Sequence, residues 1–169
     1  SKAKAHCYLN DAETYAYVRS LVTGGRLRAL RVDLLADKGV ASIAAAARAM
    51  GLPVRAIYLS NAENYWNYSK QFRANMAALP FDDRALIIRT VSTWNLNYDY
   101  SYNLQPAQNF LAWLAKPWVR GYRDFVHWKR PEAGEFLFFE TKGDPEVEEA
   151  ARAKRSGTKI AKAKPKLSR

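Results

Sequence analysis

The residues best suited to chemistry are those of Ser60-Asn61-Ala62-Glu63-Asn64-Tyr65-Trp66, which close the apolar run Val54-Arg55-Ala56-Ile57-Tyr58-Leu59. Asn61 and Asn64 each offer a donor and an acceptor. Glu63 offers a base or an acceptor for a ribose-type hydroxyl, and Tyr65 and Trp66 offer flat faces for a planar ligand. Ligands of open α/β sheets bind outside the carboxyl ends of the strands, so a strand ending at Ser60 would place Asn61, Glu63 and Asn64 on a pocket floor. Glu63 is then the candidate catalytic base, with Asn61, Tyr65 and Trp66 as ligand contacts. The alternative is structural: Asn61 caps a helix, Glu63 favours its positive end, and the aromatics fill the core.

A second constellation, Ser92-Thr93-Trp94-Asn95-Leu96-Asn97-Tyr98-Asp99-Tyr100-Ser101-Tyr102-Asn103-Leu104-Gln105, follows an apolar run and would meet the first at the same sheet edge. A polar, aromatic loop of that length suits a binding lid to which Tyr98 and Tyr100 contribute. The alternation of Tyr98, Tyr100 and Tyr102 equally suits a short hairpin with stacked rings. Asp33 follows a predicted strand and is a weaker ligand candidate, in the position of a ribose-binding acid. Asp82-Asp83 reads as a turn after Pro80 rather than a carboxylate pair. His6-Cys7 does not suit a nucleophile and base, because neighbours on an extended chain point to opposite faces. His127-Trp128-Lys129-Arg130 reads as a helix end or surface turn.

These residues need elements to position them. Asn10 or Asp11 starts a helix carrying Tyr15, Val18, Leu21 and Val22 on one face, ended by Gly24-Gly25. The alternation in Leu27–Asp33 predicts a strand. A helix over about Gly39–Met50 follows, and Pro53 introduces the next strand, so the order is β-α-β with a crossover of about twenty residues, which favours a parallel pair. Ala85–Val91 predicts a third, buried strand of the same sheet. Pro106–Leu114 predicts a helix with Phe110, Leu111 and Leu114 inward, continuing after a break over Pro117–Tyr122. Glu135–Glu140 suits a last edge strand, and a short helix runs from Asp144 to about Lys154.

At 169 residues the chain suits one domain with extensions. Cys7 is the sole cysteine, which excludes an intramolecular disulfide, and with His6 and His127 as the only imidazoles no metal site is expected. No apolar run approaches the roughly twenty residues needed to span a bilayer. The cytoplasm is the expected compartment, with an exported mature form as the alternative. The net charge of +11 is concentrated: residues 150–169 hold eight Lys or Arg and no acid, while the other 149 residues hold 19 basic and 16 acidic, a net +3. Lys159, Lys162, Lys164 and Lys166 are the candidate contacts to nucleic acid or another polyanion, and a solvated, disordered tail is the alternative. The organisation expected is an α/β domain over 1–142, a short helix over 143–155 and a basic flexible tail over 156–169.

The stretches Tyr58-Leu59-Ser60-Asn61-Ala62-Glu63-Asn64-Tyr65-Trp66 and Phe72–Asp83, followed by Ile87-Ile88-Arg89-Thr90, resemble an uncharacterised bacterial family of methyltransferase-like proteins. The likeness covers about residues 6–115. It implies a Rossmann-like three-layer sandwich with a mostly parallel sheet, related to class I methyltransferases, and it nominates Asn61, Glu63 and Tyr65 as site residues. The cofactor it implies is S-adenosylmethionine, yet the glycine-rich first β-α turn such a site needs is absent. The chain looks like the family's C-terminal half, which implies an upstream region or partner chain. The function expected is a methyltransferase-like domain binding a small ligand or partner at the carboxyl edge of its sheet, without demonstrable catalytic competence. The alternative is a scaffold or binding protein whose basic tail contacts a polyanion.

Overall fold

A computed structural model of the chain describes residues 8–92, 100–127 and 141–162, with side chains described as far as Arg155. The chain divides into two units, Ser1–Val32 and Asp33–Arg169. His6-Cys7, Tyr98, the segment Glu135–Glu140 expected as an edge strand, Lys164 and Lys166 lie outside the described residues.

In the first unit, helix α1 spans Ala12–Thr23. Asp11 is its N-cap, accepting from the Thr14 amide at 2.7 Å, and Gly24 is its C-cap, followed by Gly25 in the left-handed region at φ 66°. The expected strand over Leu27–Asp33 does not form. Its alternation supplies one strand face, but among the described residues no strand pairs with it, and Leu27 and Leu30 are exposed.

The second unit opens with α2, Gly39–Ala49, and β1, Val54–Ser60. The parallel β-α-β unit therefore lies one strand and one helix later than the hydrophobic pattern suggested. It consists of β1, α3 (Lys70–Ala78) and β2 (Phe81–Ser92). Ser69 starts α3 by accepting from the Phe72 amide at 3.1 Å. Strand β2 begins directly after Pro80, so Asp82-Asp83 form no turn, and Asp82 instead pairs with Arg55 of β1 at 2.7 Å. Strand β3, Tyr100–Pro106, lies antiparallel on the other side of β2. The sheet order is β1-β2-β3, mixed rather than mostly parallel.

Helix α4, Ala107–Leu114, follows β3 without a loop and buries Phe110, Trp113 and Leu114. It packs on β2 and β3, with α3 beside it and α2 beside α3. The core comprises Phe72 and Met76 of α3, Ile87 and Val91 of β2, Phe110 and Trp113 of α4, and Val119, Phe125 and Val126 beyond. The other sheet face presents Tyr58, Leu86, Leu104, Tyr102 and Tyr100 to the surface, Tyr58 with 57% exposure, so no third layer covers it among the described residues. After α4 the chain does not resume a long helix but makes a 3-10 turn at Tyr122–Asp124. Helix α5 spans Pro145–Lys162, continuing eight residues beyond Lys154.

Arg73 of α3 ties these layers together. Its guanidinium donates to the carbonyls of Tyr68 at 3.2 Å and Lys116 at 3.1 Å, and also to those of Leu114 and Val119. The terminal carbonyls of α4 and the turn after it thereby gain the partners a helix end lacks. Replacing Arg73 by Met should cost about 2–3 kcal/mol, because charge-assisted bonds to part-buried carbonyls are lost together. Urea unfolding at neutral pH measures this, and a loss below about 0.5 kcal/mol, the range of ordinary surface changes, would contradict the assignment.

Candidate functional site

Strand β1 ends in a strained residue. Ser60 has φ 53°, the one non-glycine residue with positive φ among the described residues, and the pairing with β2 shifts register between Tyr58 and Ser60. Such a conformation is unfavourable for a side-chain-bearing residue and persists where surrounding contacts hold it. Here it turns the chain into the 3-10 turn Ala62–Asn64 and carries Glu63 under the sheet. Asn61 precedes that turn but makes no side-chain cap, so the capping role considered for it is not adopted.

Glu63 meets Arg89, the β2 residue that pairs with Ser60 on one side and Asn103 on the other. Glu63 Oε2 lies 2.6 Å from Arg89 Nε, and both side chains are 1% exposed. Tyr68 donates its hydroxyl to Glu63 Oε1, so both carboxylate oxygens are engaged. Arg89 Nη1 donates to Asn103 Oδ1 at 2.6 Å and Gln105 Oε1 at 2.8 Å. The guanidinium carbon lies 5.1 Å and 5.3 Å from the ring centres of Phe110 and Phe125, within cation–π range. Gln105 donates onward to Asn109 at 2.7 Å and Asn103 to Thr141 at 3.1 Å. A buried charge of each sign is thus matched, and much of the polar shell is satisfied. Arg89 Nη2 and Trp66 Nε1 are buried donors without a partner among the described residues.

Beside this network is a cleft of about 310 Å³. One wall is Glu63, Asn64, Trp66 and Asn67, just past the carboxyl end of β1, and the other is the segment Arg120–Asp124. The walls are braced across: the Tyr68 amide donates to the Arg120 carbonyl at 2.8 Å, and the Tyr122 hydroxyl donates to Asn64 Oδ1 at 2.5 Å. Asp124 is held by the amides of Arg120 at 2.6 Å and Gly121 at 3.4 Å, with Arg152 of α5 at 3.6 Å.

Of the residues nominated from sequence, Glu63 and Trp66 line the cleft, with Asn64 beside them. Asn61 and Tyr65 do not line it, and Tyr65 is 79% exposed. Asp33 lies in a turn, accepting from the Leu35 amide at 2.8 Å, and is not part of the cleft. Tyr100 is on the exposed face of β3, and Lys159 and Lys162 are on α5. Sequence reasoning missed Arg89, Tyr68 and the Arg120–Asp124 wall. A signal existed for the first: Ala85, Ile87, Arg89 and Val91 share the core-facing phase of β2, so Arg89 stands where an apolar residue belongs. Among the described residues no three His, Cys, Asp or Glu side chains converge as metal ligands, and no helix is long and apolar enough to cross a membrane.

Burial, with the neighbouring Glu63 carboxylate adding to it, holds the Tyr68 hydroxyl well above the usual tyrosine range. The group is favoured protonated in the folded chain, so its contribution is fully present below the ordinary tyrosine pKa of about 10 and is lost as pH rises beyond it. The melting temperature should fall above about pH 10. Tyr68→Phe should start lower, by the ~1–3 kcal/mol of a carboxylate oxygen left without its donor, and should fall less steeply. Parallel alkaline slopes in thermal scans of the two proteins would contradict this.

No curated protein matches the chain. One family model spans residues 1–138, which include every residue lining the cleft and exclude α5. By that match the chain belongs to the family described as Domain of unknown function (DUF7790).

Proposed function

We propose that this chain is a binding domain for a small anionic ligand held in the cleft between the residues that follow β1 and the segment Arg120–Asp124. The observation that carries the reading is the charge balance of the walls. Glu63 is neutralised by Arg89, and Asp124 by two backbone amides and Arg152. Arg120 and Arg123 are exposed cleft residues with no carboxylate partner among the described residues. Guanidinium groups so placed favour carboxylate or phosphate, and the Asn64 and Asn67 side chains add polar contacts that fix orientation. The volume is at the lower end for small-molecule sites, about 300–1,000 Å³.

The likeness to methyltransferase-like proteins supports the location of this cleft rather than a methyl transfer. Ligands of parallel sheets collect past the carboxyl ends of strands, where this cleft lies. Glu63 is too fully engaged to take a substrate proton, since abstraction needs an accessible lone pair within hydrogen-bond reach. In this reading Glu63 positions the wall and does not act as a base. S-adenosylmethionine carries a net positive charge through its sulfonium, which the arginines oppose.

Calorimetric titration with adenosine monophosphate, inorganic phosphate and S-adenosylmethionine tests this. The phosphate compounds should bind, and S-adenosylmethionine should bind more weakly than adenosine monophosphate. Replacing Arg120 and Arg123 together by Ala should weaken the nucleotide by about tenfold or more, the range expected for lost charge-assisted bonds. Equal binding by the double variant, or tighter binding of S-adenosylmethionine, would overturn the reading.

A further inference from the structure

The basic residues near the C-terminus are organised by a helix. Residues 150–169 contain eight Lys or Arg and no acid, and α5 carries this sequence as a helix as far as Lys162. Positions 152, 155, 159 and 162 recur at intervals of three, four and three, which is one face of an α-helix. The acids of α5, Glu146, Glu148 and Glu149, are confined to its first turns, where Glu146 and Glu149 hold Lys116. The basic face starts at the cleft: Arg152 lies 3.6 Å from the cleft residue Asp124 and 4.0 Å from the centre of the Trp118 ring. Arg155 is 70% exposed, and its 3.5 Å contact with Glu148 is a surface pair, easily exchanged for another anion.

We propose that this face of α5 binds the phosphate backbone of nucleic acid without reading its sequence. From residue 152 to 162 an α-helix rises about 15 Å, so the four positions recur about every 5 Å along one face, and the three beyond Arg152, which is paired with Asp124, are those offered to the phosphates of a strand. Charge complementarity defines the partner, and the helix composition separates nucleic acid from a lipid surface. A helix that lies in a membrane interface needs bulky apolar side chains opposite its cations. The uncharged residues of α5 are Pro145, Val147, Ala150, Ala151, Ala153, Ser156, Gly157, Thr158, Ile160 and Ala161, with no aromatic residue and no leucine. The cleft lies at the near end of the track, where Arg120 and Arg123 would hold a further phosphate. That extension rests on the anion reading of the cleft, whereas the α5 proposal does not.

Fluorescence anisotropy of the full chain with a labelled single-stranded oligonucleotide of mixed sequence, over a series of salt concentrations, tests the proposal. The variant changes Arg155, Lys159 and Lys162 to Gln, which removes charge while keeping good helix formers. Binding should weaken by about tenfold or more at low salt, and the slope of log affinity against log salt should flatten by about 2, from three lost phosphate contacts on a single strand. Circular dichroism should be unchanged. The same variant should bind adenosine monophosphate as the parent does, whereas the Arg120 and Arg123 variant should bind the nucleotide about tenfold or more weakly and keep most of the oligonucleotide affinity. An unchanged affinity and slope in the triple variant would overturn the proposal. Equally tight, equally salt-sensitive binding to phosphatidylserine vesicles would overturn it in favour of a membrane surface.

Discussion

The ion pair between Glu63 and Arg89 is the constraint around which the second unit is arranged. Two charges with about 1% exposure each have left water, and their attraction offsets that penalty only if geometry and surrounding hydrogen bonds are good. The surroundings show how this is met. Tyr68 takes the second carboxylate oxygen, Asn103 and Gln105 take one guanidinium nitrogen, and the rings of Phe110 and Phe125 flank the guanidinium. Each partner comes from a different part of the chain: Glu63 and Tyr68 from the connection between β1 and α3, Asn103 and Gln105 from β3, and Phe110 from α4. A single arginine in the central strand thereby fixes both neighbouring strands and the helix that covers them.

This requirement explains the unusual pattern of β3. Ser101, Asn103 and Gln105 face inward, while Tyr100, Tyr102 and Leu104 face outward. Ordinary patterning would bury the tyrosines and the leucine and expose the polar residues. Arg89 needs acceptors at its position, and the period of two then sends the apolar side chains to the surface. Tyr100 and Tyr102 thus lie in a strand, as their alternation suggested, on the face of the sheet that points away from the buried network. The same accounting describes Ser60, whose strained backbone brings Glu63 to Arg89.

Elements governed by local rules were legible in the sequence. Asp11 and Gly24 bound α1, the apolar spacing of Val40, Ile43, Ala44, Ala47 and Met50 marks α2, although Ile43 and Met50 are exposed and only the other three are buried, and Ala85–Val91 lies within β2. Helix α4 was equally readable from Phe110 and Leu114. What depends on pairing was not. Leu27–Asp33 has strand composition but no strand partner among the described residues, whereas Lys70–Ala78, with several polar residues and a low mean hydropathy, is the helix of the actual crossover. The site was half legible for the same reason. Glu63, Asn64 and Trp66 are local to the strand end, but the opposing wall lies more than fifty residues away and is recruited by the Tyr68 amide and the Tyr122 hydroxyl. Sequence spacing carries no information about such a meeting.

The central claim is that Glu63 and Arg89 act as one unit. A double-mutant cycle in urea unfolding, with Glu63→Gln, Arg89→Met and both together, measures it directly. Each single change should cost about 3–5 kcal/mol, because it strands a buried charge or its polar partners. The double variant should cost at least about 2 kcal/mol less than the two single losses added together, as expected of residues in one buried network. Single losses below about 1 kcal/mol, or losses that simply add, would contradict the claim that this pair organises the fold and the cleft beside it.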